Sequence, residues 1–144
     1  MKCHTYIEKD HDEMVIIYAK ERTELVSEIE NLVLSNNISL TGVYNDEITK
    51  LNPLEICCFI SENNKVFAII DNKKYQIKQR LYQLEELDFN TYYVKINQSC
   101  YANIKKIKKF ESTIGGSLKV IFQNNYVDFI ARRELKNVKE RMGL

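Results

Sequence analysis

Residues 93–107 read Tyr-Val-Lys-Ile-Asn-Gln-Ser-Cys-Tyr-Ala-Asn-Ile-Lys-Lys-Ile, and this stretch decides the fold class. Two short apolar runs, Tyr92–Ile96 and Cys100–Ile104, flank the polar trio Asn97-Gln98-Ser99, and Ile107–Phe110 follows as a third run. Short β-branched and aromatic runs punctuated by turn-forming side chains are the pattern of strands. The same texture extends both ways. Upstream, Ile56–Ile60 leads through Ser61–Asn64 to Lys65–Ile70, then through Asp71-Asn72 to Lys74–Lys78, where Tyr75 and Ile77 point inward. A short helix is expected at Arg80–Leu87, with Leu81, Leu84 and Leu87 on one side. Downstream, Gly115-Gly116 turns into Ser117–Gln123, Asn124-Asn125 turns into Tyr126–Ile130, and a helix over Glu134–Met142 ends at Gly143. Strands at such short, regular spacing predict a barrel or sandwich.

The first 50 residues differ in texture. Met14–Ala19, with Val15, Ile16 and Ile17, is expected to be a strand. Thr23 offers an N-cap, Leu25, Val26, Ile29, Leu32 and Val33 follow at helical spacing, and Ser35-Asn36-Asn37 ends the helix. Ile38–Tyr44 and Ile48–Leu51 form a strand pair around Asn45-Asp46-Glu47, and Asn52-Pro53 closes the unit. The expected fold is therefore mainly β (α+β). A strand–helix–strand extension occupies residues 1–50, and a core of short antiparallel strands with a C-terminal helix occupies 51–144.

With 144 residues, 44% of them hydrophobic and 28% charged, the chain has the size and composition of one folded domain. No apolar run reaches the roughly 18 residues that a membrane-spanning helix needs, and polar Lys2–Thr5 does not open a signal peptide, so a cytoplasmic protein is expected. Cys3, Cys57, Cys58 and Cys100 make no Cys-x-x-Cys, and His4 and His11 add no ligand pair at metal-binding spacing. They read as reduced thiols that pack as small hydrophobes. No metal, cofactor or small-molecule substrate is implied. There is no phosphate-cradling glycine loop, no Gly-x-Ser-x-Gly and no spaced carboxylate pair, so the chain does not read as an enzyme.

Net charge is only +1, but its distribution is uneven. Residues 1–72 hold 6 Lys/Arg against 13 Asp/Glu, whereas residues 73–144 hold 15 against 7. Such asymmetry hints at a polyanion-binding face, concentrated at Lys105-Lys106-Ile107-Lys108-Lys109 and at Arg132-Arg133 through Lys136, Lys139 and Arg141. Lysines paired with the acidic first half would give the same numbers without a partner. No second helix stands just before the basic terminal helix, so a helix-turn-helix is not expected. Tyr92, Tyr93 and Tyr101 fit half-buried strand positions better than a stacking platform for single strands.

The ordered set of pieces resembles the LytTR family of DNA-binding domains. Residues 93–107 are similar to the family's central signature: aromatic, hydrophobic, Arg/Lys, hydrophobic, then Ser, hydrophobics, Asn, Leu/Ile and a closing Ile. Lys109-Phe110-Glu111, the Gly turn, Leu118–Phe122, Asn124-Asn125 and Ala131-Arg132-Arg133 follow in family order; the family usually has Ser-Arg-Arg at the last. Upstream, Lys65–Ile70, Asp71-Asn72, Tyr75–Lys78 and Arg80-Leu81-x-x-Leu84-Glu85-x-Leu87 complete a match over about residues 50–144. The first 50 residues resemble small stand-alone members, which lack the phosphoacceptor receiver domain of larger, response-regulator relatives.

The resemblance implies sequence-specific binding to double-stranded DNA, with loops entering successive major grooves at direct repeats and the protein acting as a transcriptional regulator. The family's contact positions correspond to Asn64 and Lys65, to Gln98 next to Asn97, and to Arg132 and Arg133. Arg can bind guanine bidentately, and Asn or Gln adenine; Lys65, Lys105 and Lys136 would hold phosphates. The two positions before the signature Ser are often His/Ser and Arg/Lys, but here are Asn97 and Gln98, a neutral pair that lowers phosphate attraction and changes base preference. Direct repeats load two copies, which points to a homodimer with the acidic N-terminal unit as its contact. Small regulators of this kind are often encoded beside a membrane protein, a further candidate partner. The alternative is a protein-interaction or ligand-sensing module that kept the fold and lost DNA reading. A continuous basic stripe through Lys65, Lys105 and Arg133 would favour DNA, whereas a stripe broken by Glu62 or Glu111 would favour the alternative.

Overall fold

Asn and Asp side chains tolerate left-handed backbone, and two-residue hairpins require it. The computed structural model, which describes residues 1–36, 39–87 and 92–144, places such residues at its strand reversals. Positive φ occurs at Asn45 and Asp46 between β1 (Leu40–Tyr44) and β2 (Glu47–Leu51), and at Asn63 and Asn64 between β3 (Cys58–Glu62) and β4 (Lys65–Ile70). Asp71 does the same between β4 and β5 (Lys73–Ile77), and Asn125 between β9 (Leu118–Phe122) and β10 (Val127–Ile130). The remaining elements are α1 (Glu24–Asn36), α2 (Leu81–Glu85), β6 (Tyr93–Asn97), β7 (Cys100–Asn103), β8 (Ile107–Ser112) and α3 (Leu135–Met142). Asn37 and Ile38, expected at the end of the helix and the start of the next strand, lie outside the described residues.

The strands form two antiparallel sheets, so the fold is mainly β as the sequence predicts. The larger sheet has the order β2-β1-β5-β4-β3-β7-β6, with β2 and β6 as its outer strands, and does not close as a barrel; β10-β9-β8 form the smaller one. Alternation along the central strands splits the core in two. Phe59, Val66, Ala68, Tyr93 and Tyr101 face α2 through Leu84, while Cys58, Ile60, Ile69, Val94, Ile96, Cys100 and Ala102 face Val120, Phe122, Ile130 and α3 through Val138. The central strands of the larger sheet are thus covered on both sides, the reason Ile56–Ile60 reads as an unbroken apolar run.

Polar atoms fix the join between β6, β7 and the segment before β3. The Tyr93 hydroxyl donates to the Pro53 carbonyl at 2.7 Å, with the Ile56 carbonyl at 3.2 Å. Buried Asn103 donates through Nδ2 to Ile56 O at 2.9 Å and accepts from the Lys105 amide at 3.0 Å. The signature Asn is therefore a structural hydrogen-bonder. At the other edge, a Cβ on Gly42 would lie 2.7 Å from Tyr75 Cβ and 2.8 Å from Leu51 Cδ1, so β1 sits against β5 and β2 only as glycine.

One expected strand is absent. Met14–Ala19 carries strand-forming residues but no neighbour to complete a ladder, and Met14, Val15, Ile16 and Tyr18 are all exposed. Without a partner, β-propensity alone holds no strand. The tyrosines are more buried than the half-buried strand positions predicted: Tyr92, Tyr93 and Tyr101 are each at most 4% exposed, so no aromatic platform faces solvent there. Cys57, Cys58 and Cys100 are free and buried, and burial pushes the Cys57 and Cys100 thiols up. Among the described residues no three His, Cys, Asp or Glu side chains gather to hold a metal ion.

Burial also raises the hydroxyls of Tyr92 and Tyr101 to about 12, with Glu85 adding to the effect at Tyr101. An unfolded tyrosine ionises near 10, so between about pH 10 and 12 the unfolded state sheds protons that the native state keeps. Stability should therefore be full below about pH 10 and fall as pH rises toward 12. Urea midpoints measured across that window should drop; a flat profile would show that the two rings are not held neutral by burial.

Candidate nucleic-acid interface

Two backbone hydrogen bonds gather all the predicted contact positions but Lys105 along one side of the larger sheet. Asn64 sits in the β3–β4 turn and Lys65 opens β4, both exposed. β3 lies beside β7, and the Ser61 amide donates to the Ser99 carbonyl at 2.9 Å, which ties this turn to the β6–β7 turn carrying exposed Gln98. The Ala131 amide then donates to the Ile96 carbonyl at 2.8 Å, placing the 3₁₀ turn Arg132–Glu134 alongside β6. Arg132, Arg133 and Lys136 are exposed there, and α3 continues from that turn.

Asn97 is the pin of this arrangement. Its Nδ2 donates to Asp128 Oδ1 at 2.9 Å and to Phe129 O at 2.8 Å, and its Oδ1 accepts from the Ser99 amide at 2.8 Å. Both amide hydrogens and an oxygen lone pair are thus engaged in joining β6, the next turn and β10. Gln98 is the amide that faces outward. Asp128 is a structural partner of Asn97 that the sequence reading missed; it lies 31 residues from Asn97, with no local signal to link them.

The basic residues divide into free and paired sets. Lys65, Arg132 and Lys136 have no side-chain partner among the described residues. Arg133 has Nε at 3.7 Å from Glu134 Oε1, a contact in which the arginine stays 59% exposed, so it is loosely held. Glu62, which pairs with Lys65 across the hairpin, is engaged by Lys74 at 3.1 Å. Glu111 is bracketed by Lys109 at 2.9 Å and Lys119 at 3.0 Å, which lower its carboxyl from the usual value. Lys109, at the end of the run Lys105–Lys109, is therefore compensated locally, as is Lys119.

Lys105 does not join the other positions. It sits in the 3₁₀ turn after β7, at the far end of that strand from Gln98, with its ammonium 5.9 Å from the Tyr92 ring centre. Four strand residues at about 3.3 Å each separate the two ends. No continuous stripe therefore runs through Lys65, Lys105 and Arg133, an outcome that by itself favours the alternative module; the exposed cations that do gather are Lys65, Arg132, Arg133 and Lys136. Among the described residues α1, α2 and α3 are separated from one another by strands.

Comparison with known proteins bears on the family and the fold. The family model of the LytTr DNA-binding domain matches residues 46–143. A protein of Staphylococcus aureus (strain NCTC 8325 / PS 47), described as an uncharacterized HTH-type transcriptional regulator, is 29% identical over 147 residues, covering 100% of this chain and 99% of the relative. A counterpart from strain COL matches to the same extent. A LytTr DNA-binding domain from Bacillus cereus superposes with a TM-score of 0.68 at 13% identity, over 74% of this chain and 99% of that one, a likeness of fold.

Proposed function

This chain belongs to the LytTr DNA-binding domain family, and from that premise we propose that it is a sequence-specific transcriptional regulator that reads double-stranded DNA at direct repeats. In this reading residues 51–144 bind the DNA and residues 1–50 are an extension through which two copies associate. Asn64, Gln98 and Arg133 enter major grooves, with Arg132 beside them. Lys65 and Lys136 hold phosphates, Lys105 meets the backbone at the periphery, and Asn97 keeps the central turn in place. The regulator works in the cytoplasm, needs no cofactor or catalytic step, and takes its signal from another protein, a membrane protein being the candidate; no described helix is long and apolar enough to cross a membrane itself.

The observation that carries the reading is the side-by-side fixing of three base-reading elements, β3–β4, β6–β7 and Arg132–Glu134, by the Ser61–Ser99 and Ala131–Ile96 bonds. Turns held on a rigid sheet present side chains at little entropic cost on binding. The test is selection of bound duplexes from a random double-stranded DNA pool, followed by fluorescence anisotropy at two salt concentrations. The expected outcome is a repeated motif bound about a thousandfold tighter than its scrambled counterpart, with a steep salt slope. Equal and weak binding to both would abandon DNA reading in favour of a protein-interaction module.

A further inference from the structure

Arg80 belongs to none of the positions assigned so far, yet its side chain ends on one of them. It precedes α2, where its amide donates to Gln83 Oε1 at 2.8 Å, and its guanidinium Nη1 donates to the carbonyl of Asn64 at 2.7 Å. Asn63 and Asn64 both hold positive φ, so the tip of the β3–β4 hairpin is a tight two-residue reversal with a carbonyl turned toward α2. Arg80 also lines a shallow groove with Ser61, Leu81, Lys95 and Gln98, so the groove beside the β3–β4 hairpin reaches the β6–β7 turn.

We infer that Arg80 is a positioning residue for DNA reading: it braces the β3–β4 turn so that Asn64 meets its base pair in one fixed orientation. This rests on the proposed DNA-binding function. A guanidinium bond to a carbonyl is charge-assisted and directional, and it links the hairpin tip to a segment 16 residues away in the chain. The bond is exposed, so its loss costs the folded state little. It matters instead on binding, when an unbraced tip has to be ordered by the DNA.

The experiment is a double-mutant cycle of Arg80→Ala and Asn64→Ala on the full chain, using the duplex selected above and its scrambled counterpart. The unfolding midpoint of Arg80→Ala should stay near that of the parent chain. Its affinity for the selected duplex should fall about tenfold, with affinity for scrambled DNA and the salt slope unchanged. In the Asn64→Ala background, Arg80→Ala should cost little more, because residues that act as a unit are not additive. Three results would overturn the inference: undiminished binding of the selected duplex, fully additive losses, or an equal loss on both duplexes with a slope lower by about 0.9, the mark of one phosphate contact. If the parent chain selects no motif at all, the DNA-reading function itself fails before Arg80 is altered.

Discussion

Tyr93→Ala should lower the stability of this fold by about 3–5 kcal/mol, the range for removing a large buried aromatic ring. Tyr93 is 1% exposed, and its ring lies 5.4 Å from Phe59, 5.2 Å from Tyr101 and 5.1 Å from Tyr92 between ring centres. The deletion would leave a cavity where four aromatic residues from β3, β6, β7 and the approach to β6 meet. It would also leave the Pro53 carbonyl, 2.7 Å from the tyrosine hydroxyl, without that donor. Tyr93→Phe isolates the second effect and should cost about 1–3 kcal/mol. Against a total stability of about 5–15 kcal/mol, a loss of that size is a large fraction of the whole, so the urea midpoint of the alanine variant should fall well below that of the parent chain. Urea unfolding followed by tyrosine fluorescence measures both. A loss under about 1 kcal/mol for the alanine variant would show that the ring cluster does not hold the central strands together.

The hairpins were the legible part of the fold, because Asn63-Asn64 and Asn45-Asp46 are local signals for a local geometry. What the sequence could not show was which strands meet across the sheet. β3 pairs with β7 and β1 with β5, contacts between residues far apart in the chain, and strands buried on both faces carry no alternation to read. Met14–Ala19 failed for the opposite reason, a local signal with no partner in space. At the proposed interface, Asn64, Gln98 and Arg133 were named from an ordered motif, which carried no information on how each side chain is held. Asn97 and Gln98 are adjacent and chemically alike, yet one is tied to Asp128 and the other is free. The run Lys105–Lys109 looks like one basic patch in sequence. The 3₁₀ turn Ile104–Lys106 and the start of β8 divide it, leaving Lys105 exposed and Lys109 on Glu111.

Those same distinctions set the largest effect expected on DNA binding. The double variant Arg132→Ala/Arg133→Ala should weaken binding to the selected duplex by about 2–6 kcal/mol, taking about 1–3 kcal/mol for each base-reading side chain. As neighbours in one turn the two need not add, so the lower half of that range is the firmer expectation. Neither substitution should unfold the protein, since both side chains are exposed and the contact from Arg133 to Glu134 spans 3.7 Å. Specificity should relax at the base pairs these arginines face, while discrimination at the pairs read by Asn64 and Gln98 persists. Lys136→Ala provides the contrast, because a phosphate contact fixes register without reading sequence. It should weaken selected and scrambled duplexes alike and lower the salt slope by about 0.9. Affinity profiles of all three proteins on single-base variants of the selected duplex would settle the assignment. If the double variant loses the same factor on every sequence, the arginine pair is a second phosphate clamp, and base reading falls to the two turns of the larger sheet.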